Sequence, residues 1–130
     1  MENAFNQNLH YLLLKTLSHQ PDMSQRAIVR KIGFSLGKVN ESLNQLIANG
    51  MVRKIKSDRK ETTTAKIAFK YPLTVDGREE KNRLGTWLLE RKLFQQKALK
   101  AEIQDLLQYL AETRDSEILK ELNFVQNQRR

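Results

Sequence analysis

The stretch GFSLGKVNESLNQLIANGMVRKIKSDRK, residues 33–60, contains a helical pattern followed directly by a basic, strand-like pattern. Ser35 is a favourable helix N-cap, and the Asn49-Gly50 pair is a typical helix stop. Between them, large apolar residues recur on one face of a 3.6-residue period. These residues are Val39, Leu43, Leu46 and Ile47. The sequence therefore predicts a helix over 35–49 with one apolar face and one uncharged, polar face.

Two more helices are predicted upstream of this stretch. Leucines at helical spacing indicate an amphipathic helix from Asn3 to Ser18, which the segment around Pro21 interrupts. Ser24 is a good N-cap for a short second helix, and Gly33 supplies the positive φ that ends it.

A basic hairpin is predicted downstream. Residues 51–56 and 66–71 alternate as strands do, and the tip between them, residues 57–65, has no large apolar anchor and is expected to be exposed to solvent. Residues 51–70 hold seven Lys and Arg residues against Asp58 and Glu61. A protruding hairpin with this charge repels itself unless a polyanion binds it; the alternative is that it only increases solubility.

A long helix follows, with Thr74 as its cap and an extent from Val75 to about Thr113. Its second half has apolar residues spaced four, three and four apart, as in a coiled coil. This seam consists of Leu99, Ile103, Leu106 and Leu110. Pairing with a second copy is favoured over packing on the same chain, whereas Leu84, Trp87 and Leu88 are expected in the chain's own core. The predicted regions are 1–73, 74–113 and a tail, 114–130, that forms a short helix or frays.

Three helices followed by a two-stranded hairpin form a winged helix-turn-helix. The fold class predicted is mainly α with a small β-hairpin wing (α+β), carrying a long C-terminal dimerisation helix. The chain has 130 residues and a net charge of +8. Residues 1–77 contain twelve of its 23 Lys and Arg residues but only six of its 15 Asp and Glu residues. This basic excess favours a polyanionic partner.

Other functional classes are disfavoured by composition. The chain has no cysteine and only two histidines, His10 and His19, and Ser24 and Ser35 are better explained as caps than as nucleophiles. Neither a catalytic constellation nor a metal-ligand set is apparent, so no enzyme activity, metal or cofactor is expected. The N-terminus lacks a secretory pattern and no window is apolar enough for a membrane span, so a cytoplasmic protein is expected.

Double-stranded DNA is the predicted partner, with the polar face of helix 35–49 in the major groove. Amide side chains both donate and accept hydrogen bonds, and can pair bidentately with adenine. Glu41 is open to three interpretations: it accepts from the amino group of cytosine, it pairs with Lys38 or Arg30, or it penalises wrong sites. The same face is also compatible with an ordinary solvated surface. The residues predicted to read bases are Leu36, Gly37, Lys38, Asn40, Glu41, Asn44 and Gln45.

Contacts to the DNA backbone are predicted from the hairpin, from the second helix and from the start of the third, whose free N–H groups suit a phosphate. Arg59 and Lys60 at the hairpin tip are expected to reach the minor groove or its phosphates. The residues predicted to contact the backbone are Ser24, Gln25, Arg26, Arg30, Ser35, Lys54, Lys56, Arg59 and Lys60.

The run SQRAIVRKIGFSLGKVNESLNQLIANGMVRK and the later KIAFKYPLTVDGREEKNRL resemble the MarR-type winged helix regulators. More narrowly, they resemble the branch associated with exopolysaccharide (EPS) gene clusters, with the block Ser35 to Asn40 as the most specific match. The resemblance covers roughly residues 9–104. It implies a bacterial transcriptional regulator that is a homodimer through its terminal helices; a small-molecule or protein effector is left open.

Two other functions remain as alternatives. A protein-interaction adaptor would use the winged domain as a scaffold and the C-terminal helix for docking, and its binding would survive loss of Arg59 and Lys60. A membrane-surface helix is disfavoured, because the charges of residues 78–113 are nearly balanced.

Overall fold

The computed structural model of the protein describes residues 4–59, 67–113 and 120–122. The helices are α1 (Ala4–His19), α2 (Gln25–Ile32), α3 (Leu36–Ala48) and α4 (Val75–Thr113), and the strands are β1 (Ile55–Lys56) and β2 (Phe69–Lys70). This order confirms the predicted fold, mainly helical with a two-stranded antiparallel hairpin and a long C-terminal helix. By its contacts the chain divides into two units, Met1–Leu88 and Leu89–Arg130.

The helix boundaries follow from local capping chemistry. The Ser24 hydroxyl accepts a hydrogen bond from the Ala27 backbone N–H at 3.1 Å, and the Ser35 hydroxyl accepts one from Lys38 at 3.3 Å. Gly33 has φ 80° and ends α2, a conformation that glycine adopts without steric cost. The predicted caps of α2 and α3 are therefore confirmed.

The core of the first unit lies where α1, α2 and α3 meet. Val39, Leu43 and Leu46 are at most 2% exposed, which confirms the predicted apolar face of α3. Leu84, in the first part of α4, is 1% exposed and belongs to the same core, as expected. The buried cluster consists of Leu9, Leu13, Leu14, Leu17, Ile28, Val39, Leu43, Leu46, Val52, Tyr71 and Leu84.

The strands of the hairpin are shorter than predicted. Ile55 pairs with Lys70 and Lys56 with Phe69, and an isolated bridge joins Val52 to Leu73. Beyond the paired strands the Ser57 N–H donates to the Ala68 carbonyl at 2.8 Å. Between the strands and the bridge the Arg53 N–H donates to the Pro72 carbonyl at 2.9 Å, but Pro72 has no N–H to donate in return. The ladder is therefore interrupted, and two-residue strands remain where six-residue runs were predicted.

The start of α4 is fixed to the turn between α3 and β1. The Thr74 N–H donates to the Met51 carbonyl at 3.0 Å, and the Thr74 hydroxyl donates to the Gly50 carbonyl at 2.6 Å. The same hydroxyl accepts from the Gly77 N–H at 3.0 Å, which confirms Thr74 as the cap of α4. A Cβ at Gly77 would lie 1.9 Å from the Met51 carbonyl oxygen, so only glycine allows this approach.

The second unit begins within α4, at Leu89. In its helical part Leu99 and Leu106 are 56% and 60% exposed, and Ile103 and Leu110 are half-buried. Of the tail 114–130, the described residues are 120–122, which are helical. The division of the chain at residues 73 and 113 stays a prediction, although α4 as far as Leu88 groups with the winged unit.

Candidate nucleic-acid interface

The outward face of α3 carries all seven residues predicted to read bases. Because Val39, Leu43 and Leu46 point into the core, the side chains on the opposite side of the helix face solvent. Leu36 is 52% exposed. The other exposed residues of this face are Gly37, Lys38, Asn40, Glu41, Asn44 and Gln45.

The first turn of α3 is open to a close approach. Nothing lies within 4 Å of the position that a Cβ on Gly37 would occupy. The Ser35 cap satisfies one of the free N–H groups at this helix end, and the remaining ones are suited to a phosphate oxygen.

Two amides of this face are held by hydrogen bonds from neighbouring helices, which sequence reasoning missed. Gln25 Nε2 donates to Asn40 Oδ1 at 3.3 Å and joins the start of α2 to the middle of α3. His10 Nε2, on α1, lies 3.2 Å from Gln45 Oε1. Since an amide oxygen can only accept, this contact requires the proton of His10 on Nε2. His10 is 4% exposed, so Gln45 satisfies a buried group as well as facing solvent.

The predicted backbone contacts from α2 and the hairpin are mostly exposed. Arg26, Arg30 and Lys56 face solvent. The Lys54 ammonium lies 4.4 Å from the centroid of the Phe69 ring, a cation–π geometry that leaves the exposed side chain at the hairpin surface. Ser24 and Ser35 use their hydroxyls as caps, and Gln25 is bonded to Asn40, so for these three the structure adds a local role to the predicted one.

Arg59 does not extend into solvent as predicted for the hairpin tip. Its Nη1 lies 2.5 Å from Asp22 Oδ1, its Nη2 donates to the Phe69 carbonyl at 3.3 Å, and its side chain is 27% exposed. The Ser57 hydroxyl donates to the same Asp22 oxygen at 2.7 Å. The carboxylate therefore attaches the hairpin to the segment before α2. Lys60 and the rest of the predicted tip, to residue 65, lie outside the described residues.

Within the described ranges, no three His, Asp or Glu side chains are grouped to hold a metal ion. No helix in that part of the chain is both long and apolar enough to cross a membrane.

A family profile described as winged helix-turn-helix DNA-binding matches residues 7–53, which include α1 to α3. The chain has the winged helix-turn-helix fold. No curated protein sequence matches it.

Solved structures of transcriptional regulators, including members of the MarR family, share this fold. The PcaV transcriptional regulator of Streptomyces coelicolor has a TM-score of 0.57 at 20% identity, over 83% of this chain and 79% of PcaV. A MarR transcriptional regulator of Methanosarcina mazei Go1 has a TM-score of 0.56 at 14% identity, over 81% of this chain and 75% of the regulator. A MarR/EmrR family regulator of Acinetobacter sp. ADP1 has a TM-score of 0.52 at 19% identity, over 82% of this chain and 75% of the regulator. All three of these proteins are transcriptional regulators.

Proposed function

We propose that this protein is a sequence-specific double-stranded DNA-binding transcriptional regulator of the MarR type. The observation that carries the proposal is the solvent-facing polar surface of α3 beside a cationic hairpin. The DNA-binding description of the matched profile also supports it and disfavours the adaptor alternative.

In this function α3 enters the major groove and the hairpin lies along the adjacent backbone. Asn40 and Asn44 are one helical turn apart and face the same base edges. Arg26, Arg30 and Lys56 provide phosphate contacts, which fix the register of the protein on the duplex without reading its sequence.

The regulator acts as a homodimer through the seam of Leu99, Ile103, Leu106 and Leu110. The exposure of Leu99 and Leu106 supports this assignment, because apolar area left in water favours association. Two copies would place their recognition helices about 34–36 Å apart on a pseudo-palindromic site.

The protein acts in the cytoplasm of a bacterium, and its target genes are those of polysaccharide biosynthesis. The resemblance of the block 35–40 to the EPS-associated branch supports this assignment. PcaV has also been solved in complex with its natural ligand. That complex supports a search for a small-molecule effector of this protein.

The test is selection of genomic DNA fragments on the purified protein, followed by sequencing of the retained fragments. A shared motif with two half-sites is the expected result. Retention without any motif would contradict sequence-specific binding, and no retention even at low salt would contradict DNA binding.

Two substitutions separate base reading from backbone contact. Asn40→Ala is expected to relax base preference, whereas Lys60→Ala weakens binding to all duplexes and lowers the log–log salt slope by about 0.9. Lys97→Ala, on the exposed second half of α4, removes the same charge elsewhere and serves as the control. Equal effects of Asn40→Ala on selected and random duplexes would show that Asn40 does not read a base.

A further inference from the structure

The amides of Asn40 and Gln45 are oriented by groups behind them. Asn40 Oδ1 accepts from Gln25 Nε2 at 3.3 Å, and Gln45 Oε1 contacts His10 Nε2 at 3.2 Å. Both bonds come from side chains on other helices, so they fix the direction of each amide relative to α3. Among the described residues, no side chain holds the Asn44 amide in this way.

Each bond determines which end of the amide remains for a partner. A side-chain amide carries an accepting oxygen and a donating NH₂ group. Each bond uses one of the two lone pairs of the oxygen and turns that oxygen toward a neighbouring helix, so the NH₂ group is the end presented to a base. Bidentate pairing with adenine needs both ends, since the amide oxygen must accept from adenine N6 while the NH₂ donates to N7. A base edge that only accepts is the better complement, and guanine offers O6 and N7 together.

We propose that Gln25 is a specificity-determining positioning residue: its hydrogen bond turns the Asn40 oxygen toward α2 and presents the Asn40 NH₂ group, so that Asn40 selects guanine in the major groove. This inference rests on the proposed DNA-binding function and replaces the adenine pairing expected for Asn40 from sequence. The contact with His10 likewise turns the Gln45 oxygen toward α1 and presents the Gln45 NH₂ group.

The geometry also explains why the amide keeps this orientation. Turning the Asn40 amide by 180° would place its NH₂ against the NH₂ of Gln25, two donors facing each other. While Gln25 keeps its orientation, this flip loses one hydrogen bond. A net hydrogen bond corresponds to roughly a fivefold preference between the two orientations.

The test reverses the polarity of residue 25. A Gln25→Glu variant has nearly the same shape, but its carboxylate only accepts, so it draws the Asn40 NH₂ inward and turns Oδ1 outward. Residue 25 is the first position of α2, where a negative charge is favourable, so the variant is compatible with folding. Motifs are selected from random duplexes with the wild-type protein, Gln25→Glu, Asn40→Ala and the double variant.

The expected result is a guanine preference of about fivefold to tenfold at one motif position in the wild type. Gln25→Glu changes that position to adenine or cytosine, whose exocyclic amino groups donate, and leaves the other positions unchanged. The negative charge added by Gln25→Glu weakens binding to selected and random duplexes alike. The affinity for a random duplex measures this general effect separately from the change in base preference. In the Asn40→Ala background, Gln25→Glu changes no base preference.

Two results would overturn the inference. In one, Gln25→Glu keeps the wild-type motif at every position; in the other, it alters the motif equally with and without Asn40. Absence of any motif in the wild-type selection would instead overturn the proposed function, and this inference with it.

Discussion

Gly77→Ala is expected to destabilise the first unit strongly, because the added methyl group meets backbone. The new Cβ would lie 1.9 Å from the Met51 carbonyl oxygen and 2.9 Å from the Met51 carbonyl carbon. Ordinary contact begins near 3.4 Å, so the carbonyl or the start of α4 must move by about 1.5 Å. No rotamer change relieves the clash, since neither partner is a flexible side chain.

The magnitude follows from what this movement breaks. Forced backbone displacement in a packed region costs about 1–3 kcal/mol. The hydrogen bond from the Thr74 N–H to the Met51 carbonyl, 3.0 Å in the structure, cannot survive it, and a lost hydrogen bond adds about 1 kcal/mol or more. The better helix propensity of alanine offsets up to about 1 kcal/mol. The net loss in free energy of unfolding is about 1–4 kcal/mol, a fall in Tm of about 4 °C or more for a unit of this size.

Thermal and urea unfolding, followed by far-UV circular dichroism, measure this loss. Gly37→Ala is the matched control, because it also adds a methyl group in the first turn of a helix but has nothing within 4 Å. Its Tm is expected to stay the same or to rise slightly. A Gly77→Ala protein that unfolds within about 2 °C of the wild type would refute the reasoning, because the steric argument allows no such tolerance.

Three other perturbations probe the hairpin, the seam and a cap. Asp22→Asn removes the charge that holds Arg59, so affinity for random duplexes should rise and the log–log salt slope steepen by about 0.9 in fluorescence anisotropy titrations; no change would mean that Arg59 does not reach a phosphate. Leu106→Glu should convert a dimer into a monomer in light scattering at tens of micromolar, whereas Gln108→Glu, on the other side of the helix, should not; a monomeric wild type would contradict the seam. Ser24→Ala should lower the free energy of unfolding by about 1 kcal/mol in urea titrations, while Ser24→Asp keeps the cap and its stability.

The helices were predictable because local chemistry determines where they begin and end. The bounds of α4 match the prediction at Val75 and at Thr113, and Ser24, Ser35 and Thr74 each form the predicted cap bond. The burial of Val39 and Leu43 follows from their period alone. Since these residues define the inner face of α3, the exposed residues on its outer face were predictable as well.

The polar pairings of the site were not predictable, because they join residues far apart in the sequence. Asp22 and Arg59 are 37 positions apart, and His10 and Gln45 are 35 apart. Each of these side chains suits a solvated surface as well as an ion pair or an amide contact, so its residue type alone selects no partner. Tertiary packing of α1 on α3, and of the hairpin near the start of α2, selects it. Packing of α2 on α3 likewise selects Asn40 as the partner of Gln25, a residue that the sequence indicated only as a phosphate contact.

Held amides give a short polar helix face more discrimination than free ones can. A free asparagine can rotate by 180° and present either a donor or an acceptor, so it tolerates several bases with little loss. If the Asn40 amide rotates, it loses the hydrogen bond from Gln25. If it does not rotate, its NH₂ group faces the amino group of cytosine, and these two buried donors without acceptors cost about 1–3 kcal/mol. Binding also immobilises fewer free side chains, which spares about 0.5–1.5 kcal/mol for each. In the proposed function, base selection by α3 therefore depends on Gln25 of α2 and His10 of α1, neither of which needs to touch the DNA bases.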